Sequence, residues 1–221
     1  MKTMFLAVGL VITPAAFSQD RGGIPIAEDA KFAWHENVGY INFADAGEPV
    51  GSQAVRVGGT FLSGFAWGEN IGWINFGDGS PADGVAYANE TGEDFGVNVD
   101  PETGDLFGLA WAENVGWINF DTRASLGPFS QQARIDLPSL RFRGYAWGEN
   151  IGWLNLDDTE VFVGLRCVAD WDGDGAVGPA DVVMYAMEAD GGLGFTDLDD
   201  DGDTDAFDLI LLLEISDRTC P

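Results

Sequence analysis

The stretch Tyr145-Ala-Trp-Gly-Glu-Asn-Ile-Gly-Trp-Leu-Asn155 occurs four times with small changes, its copies beginning at Phe32, Phe65, Leu109 and Tyr145. The first tryptophans of the copies, Trp34, Trp67, Trp111 and Trp147, lie 33, 44 and 36 residues apart. Such a period marks supersecondary units that bury a shared core, with length differences confined to connecting loops. Aromatic and β-branched residues dominate each copy, glycines mark its corners, and no 3.6-residue period runs through it. Each copy therefore reads as a β-hairpin.

Taking Gly68-Glu69-Asn70 as a three-residue loop sets Trp67 opposite Ile71 and Phe65 opposite Trp73 on one face, with Ala66 facing Gly72 on the other. A two-residue turn would shift that register by one. The aromatic face is assigned to the core, because matched large rings in every unit are what a shared core requires. Exposed platforms for sugar rings are the second reading. The turn residues Glu36, Glu69, Glu113 and Glu149, with the asparagines beside them, are expected to bond turn backbone groups. Asparagine is depleted in strands, so Asn42, Asn75, Asn119 and Asn155 are expected to hydrogen-bond a neighbouring unit.

Alternating runs precede the hairpins at Ala54-Val-Arg-Val57, Phe95-Gly-Val-Asn-Val-Asp100 and Ala133-Arg-Ile-Asp-Leu137. The unit is thus an antiparallel three-stranded meander, and the fold class is an all-β repeat domain over residues 19–164. Four units can close into a ring or barrel, or stack as a sandwich. Closure is favoured, since neither outer copy is a clear polar cap. A surface-layer or filament protein assembled by edge pairing of the repeats is a further possibility.

Of the 221 residues, 46% are apolar, as in a globular protein, and the net charge is −27. A surface of that sign repels phosphate backbones and anionic lipids, which excludes nucleic acid and argues against a membrane as partner. Lys2, the apolar run from Met4 to Ala16 and the Ala16-Phe17-Ser18 site read as a signal peptide over residues 1–18. The expected localisation is secreted or cell-surface, with Gln19 as the first mature residue. Cys167 and Cys220 bracket the final segment. In an oxidising compartment a bond between them would contribute roughly 4 kcal/mol on the chain-entropy model, the alternatives being free thiols or an intermolecular bond.

Catalysis finds little support. Hydrolysis by paired carboxylates needs two acids in different environments, whereas the four turn glutamates are equivalent. The sole histidine, His35, stands where the other copies carry Gly68, Ala112 and Gly148, and no nucleophilic constellation can be assembled around it.

Residues 165–221 carry a more specific pattern. Asp170, Asp172, Asp174, the Ala176 carbonyl and Asp181 fall at positions 1, 3, 5, 7 and 12 of a calcium loop, with Gly175 at the sharp turn. The pattern returns with Asp197, Asp199, Asp201, the Asp203 carbonyl and Asp208. Oxygen-only ligand sets suit calcium, two ions in all, and each loop leads into an apolar helical run opening at its last aspartate. Asp takes the place of the usual bidentate Glu in both loops. This is the α-helical calcium-binding C-terminal domain of the expected fold.

Two loop-helix units of this kind resemble a type I dockerin, and the flanking cysteine pair is similar to a variant found in some environmental bacteria. The resemblance implies docking to a cohesin partner, within a polysaccharide-catabolism or cell-surface assembly. It further implies that partner-reading residues stand at Pro179-Ala180 and Ala206-Phe207. The function expected is that of a secreted, non-catalytic docking component; a carbohydrate-binding or glycoside-degrading subunit of such an assembly is the alternative. The loop carboxylates repel one another without a cation, so binding should be coupled to folding of the segment. Removing calcium with a chelator is expected to lower the helical circular dichroism of the tail, and an unchanged signal would remove the calcium assignment.

Overall fold

A computed structural model describes residues 23–126, 131–167, 170 and 177–189. The expected signal peptide, Cys220, the second calcium loop and most of the first lie outside the described residues. The first copy forms β1 (Ile24–His35) and β2 (Gly39–Asn42). Then come β3 (Arg56–Val57), β4 (Leu62–Ser63), β5 (Phe65–Gly68) and β6 (Gly72–Asn75). The third unit comprises β7 (Val97–Val99), β8 (Leu106–Ala112) and β9 (Gly116–Asn119), followed by a helical turn α1 (Arg123–Leu126). The fourth has β10 (Arg134–Asp136), β11 (Arg141–Arg143), β12 (Tyr145–Gly148) and β13 (Gly152–Asn155). After β14 (Val163–Leu165), the helix α2 (Pro179–Ala189) is the last described element.

Each copy of the repeat is a hairpin, but its loop is Glu69-Asn70-Ile71 rather than Gly68-Glu69-Asn70. Trp67 therefore pairs with Trp73, Ala66 with Ile74 and Phe65 with Asn75. The residue after the loop decides this. Gly72 takes φ 77°, as do Gly39, Gly116 and Gly152 at 76°, 84° and 93°. Glycine enters that region without the Cβ penalty, so the turn closes around it and not around Asn70.

The four hairpins pair side by side, β2 with β5, β6 with β8 and β9 with β12. Pairing of β13 with β1 closes the circle through Trp34 and Asn155. The result is a closed eight-stranded antiparallel barrel. A second circle lies beyond it, made of the hairpins β3–β4, β7–β8 and β10–β11 and the sequence-distant pair β14–β1. Pairing of β1 with β3 and of β11 with β14, with bridges Phe61 to Asn98 and Asp105 to Arg134, joins these hairpins. The expected meander, outer strand then hairpin, holds for the later units. The first unit obtains its outer strand from the far end of the repeat region, where Val163 and Leu165 pair with Lys31 and Ile26. Closure leaves the eight hairpin strands without a free edge, so filament growth by pairing of hairpin edges has no template here.

Inside the barrel each hairpin contributes one alanine opposite one large residue: Ala33 with Ile41, Ala66 with Ile74, Ala110 with Ile118 and Ala146 with Leu154. All are at most 1% exposed. Phe43, Phe76, Phe120 and Leu156 form the next layer, with Phe76 5.3 Å from Phe43 and 5.6 Å from Phe120 between ring centroids. The aromatic face of the hairpins, assigned above to the core, points outward instead. Eight strands enclose a space only wide enough for side chains to fill, and alternating small and large aliphatics already fill it. No helix among the described residues is long and apolar enough to cross a membrane.

Packing at the turn end explains why the fourth residue of the copies varies. A Cβ on Gly68 would lie 2.5 Å from Ile71 Cγ1, and one on Gly148 would lie 2.6 Å from Ile151 Cγ1. The copies that carry a side chain there, Ala112 and His35, have the smaller Val115 and Val38 as partners. Gly68→Ala is expected to cost about 1–3 kcal/mol by overpacking. Adding Ile71→Val should recover most of that loss, as a double-mutant cycle followed by thermal unfolding would measure.

Candidate functional site

Alternation along the strands turns the first and second large ring of every hairpin to the outside, where they meet edge to face. Trp34 and Tyr40 have ring centroids 4.8 Å apart, Trp67 and Trp73 4.7 Å, Trp111 and Trp117 4.6 Å, and Trp147 and Trp153 4.8 Å. Such pairs lock ring orientation and add about 1 kcal/mol beyond area burial. A third ring extends three of them: Phe32 on Tyr40, Phe65 on Trp73 and Tyr145 on Trp153. In the third unit Leu109 stands at that position, and Phe95, from the run into β7, packs on Trp117 at 5.1 Å. The barrel thus wears an aromatic girdle. Trp73 remains 46% exposed and Trp67 42%.

Asparagines set the spacing of the girdle. Asn37 Nδ2 donates to the Ile151 carbonyl at 2.9 Å, Asn70 to Val38 at 3.1 Å, Asn114 to Ile71 at 3.0 Å and Asn150 to Val115 at 2.9 Å. Each turn therefore holds the turn before it, and the four bonds run once around the barrel. The strand asparagines, expected to reach a neighbouring unit, act locally instead. Their Oδ1 atoms accept the N–H two residues on, from Ala44, Gly77, Asp121 and Asp157 at 2.8–2.9 Å. These Asx turns end each hairpin's second strand and send the chain on to the next unit. The backbone of each is in register with the next unit's first tryptophan, Asn42 with Trp67 for example. The turn glutamates, expected to bond backbone groups, are exposed and take part in no side-chain hydrogen bond among the described residues.

No family model matches the chain. No curated protein and no solved structure matches it either. The chemistry of the surface must therefore speak for itself. Large, orientationally fixed rings left on the outside of the chain form an exposed apolar surface of the kind that suits a contact site. Their faces suit the C–H faces of sugar rings, with the amide and carboxylate groups nearby as hydrogen-bond partners for hydroxyls. The signal for the outward placement is the pair Ala66 and Ile74, one small and one large aliphatic per hairpin, which reads as the filling of a narrow interior only once the eight strands are known to close.

Of the expected calcium ligands, Asp170 and Asp181 are described. Asp170 is half-buried, and its N–H donates to the Cys167 carbonyl at 3.3 Å. Asp181, 1% exposed, lies in the first turn of α2 and accepts the Gly178 N–H at 2.7 Å. Asp172, Asp174, Ala176, Asp197, Asp199, Asp201, Asp203 and Asp208 lie outside the described residues.

His35 is 2% exposed at the turn end of the barrel. Its Nδ1 accepts the Asn37 N–H at 3.0 Å, which assigns the proton of the neutral ring to Nε2. Nε2 lies near the Gly152 backbone but outside ordinary hydrogen-bond geometry. Burial holds the imidazole below its usual pKa, opposed by the Gly152 backbone and the charge of Glu36. Protonation must occur at Nδ1 and break the bond to Asn37. The unfolded chain therefore binds the proton more readily. The stability tied to neutral His35 is fully present above the unfolded pKa of about 6.5 and is lost as pH falls below it toward the lower folded value. Thermal unfolding at pH 7.5 and 5.5 is expected to show the wild type losing more stability than His35→Ala over that interval.

Proposed function

We propose that this is an exported, non-catalytic binding protein in two parts. The barrel presents its aromatic girdle to a polysaccharide, and the C-terminal segment binds two calcium ions and docks to a cohesin-type partner. The observation that carries the first part is the outward, edge-to-face pairing of the repeat tryptophans. Four paired platforms on one rigid barrel suit a polymer, because each added contact becomes intramolecular once the first is made. That arrangement favours the carbohydrate-binding alternative for the barrel over a purely structural role.

Support for the second part comes from the two matching aspartate patterns and from Asp181. Its carboxylate is buried at the start of α2, where a position-12 ligand that also opens a helix would stand, and where the helix N-terminus favours negative charge. Polysaccharide-binding and docking segments in one chain would hold a partner assembly on its substrate.

Titration of the intrinsic tryptophan fluorescence with soluble polysaccharides should give a saturable change for at least one polymer, and Trp67→Ala with Trp153→Ala should weaken it severalfold. A flat response across neutral and acidic polymers would refute the girdle's role. For the tail, a cohesin-bearing partner should be retained in calcium and released by chelator.

A further inference from the structure

Where β14 closes the ring, the outer surface is indented by a groove of about 360 Å³. This is at the lower end of the volumes that bind small ligands, roughly 300–1,000 Å³. Three aromatic residues line it: Phe32 on β1, Tyr40 on β2, and Phe162 in the run into β14. Asp29, Glu69 and Glu160 line it as well, together with Lys31 and Val161. Its elements come together once in the barrel, because only the first unit takes its outer strand from the far end of the repeat region. Phe162 is a fixed wall: the Arg141 guanidinium lies 3.5 Å from its ring centroid and donates to the Asp158 carbonyl at 2.8 Å.

We infer that this groove is a subsite for one end, or one short stretch, of a neutral saccharide. The inference rests on the girdle's reading as a polysaccharide surface and gives it a place of tighter grip. Lining chemistry selects among ligands. Three carboxylates outweigh Lys31, whose charge is already paired with Asp45 and Glu28, and so repel an anion, and a wholly apolar ligand would strip them of water without replacing its hydrogen bonds. The place of a cation is already taken. Lys31 Nζ lies 6.0 Å from the Phe32 centroid and is paired with Asp45 at 2.8 Å and Glu28 at 3.2 Å. A neutral ring with hydroxyls around its rim satisfies both kinds of lining. Its C–H faces cover Phe32, Tyr40 and Phe162, and its hydroxyls donate to Glu69 and Glu160, which have no hydrogen-bond partner for their carboxylates among the described residues. Phe32 and Tyr40 also belong to the girdle, so a chain lying along the girdle reaches the groove without leaving the aromatic surface.

The test uses the full chain in calcium, with hexasaccharides of β-1,4-linked glucose, xylose and mannose as probes in isothermal titration calorimetry. At least one should bind saturably, and Glu160→Gln and Tyr40→Ala should each weaken it about tenfold, the loss expected for a hydrogen bond to a charged group or one stacking face. Trp117→Ala, on the opposite hairpin, should leave hexasaccharide affinity within about twofold yet lower retention on the matching insoluble polymer. If Trp117→Ala lowers polymer retention while both groove variants bind hexasaccharide like wild type, the groove assignment falls and the girdle reading stands. If the groove variants lose hexasaccharide but Trp117→Ala retains the polymer fully, the girdle reading falls. Absence of binding to any hexasaccharide overturns the groove, and competition by tetramethylammonium for the same site would replace the saccharide with a cation. Should Tyr40→Ala unfold, Glu160→Gln carries the result, since an exposed carboxylate is replaced by its isostere.

Discussion

The interior of an eight-stranded barrel is the constraint on which the rest of this structure depends. Its width admits side chains and nothing more. Four hairpins meet that limit by setting an alanine against an isoleucine or leucine on the inward face, as Ala66 does against Ile74. Once that face is filled, period-two alternation sends every large ring of the hairpins to the other side. The girdle is thus the complement of the core, and neither could be exchanged for the other without opening the barrel.

Closure is secured at several levels. The backbone ladder runs through eight hairpin strands back to its start, and β14 lends the first unit the outer strand that its own sequence lacks. Side chains repeat the circle at the turn end, where four asparagines each reach the preceding turn. Such a ring is only as strong as its last joint. The joint between the fourth and first hairpins keeps the same asparagine bond and the same strand register as the others, despite Tyr40 and His35 in the first copy. The buried imidazole accepts an N–H of its own turn. Two departures from the repeat, His35 and Tyr40, thus lie in the hairpin whose first strand forms the seam. The same seam gains a groove that the repeats do not contain.

In the proposed reading, a barrel with rings facing solvent and an acidic tail that takes up a cation form a coherent pair. The first part, in that reading, would offer contacts of low individual affinity, multiplied around the circumference. The second, in that reading, would add a joint whose strength follows calcium. A net charge of −27 repels nucleic acid and anionic lipid and has no such effect on a neutral polymer.

Much was legible in the chain alone. Four copies at related spacing fixed the number of units, and their glycine corners and aromatic content fixed hairpins. These are local properties, set by turn chemistry within a few residues. The direction of the tryptophans was not local. Alternation separates two faces of a hairpin without saying which is inside, and only the closed circle, with its narrow bore, sent Trp67 out and Ile74 in. The register slipped by two for a related reason: both Asn70 and Gly72 suit a left-handed turn residue, and the tertiary fit of Ile71 into the barrel end accompanies the choice of Gly72. The partners of the asparagines, and the groove between segments more than a hundred residues apart in the chain, exist only once the first strand meets the last.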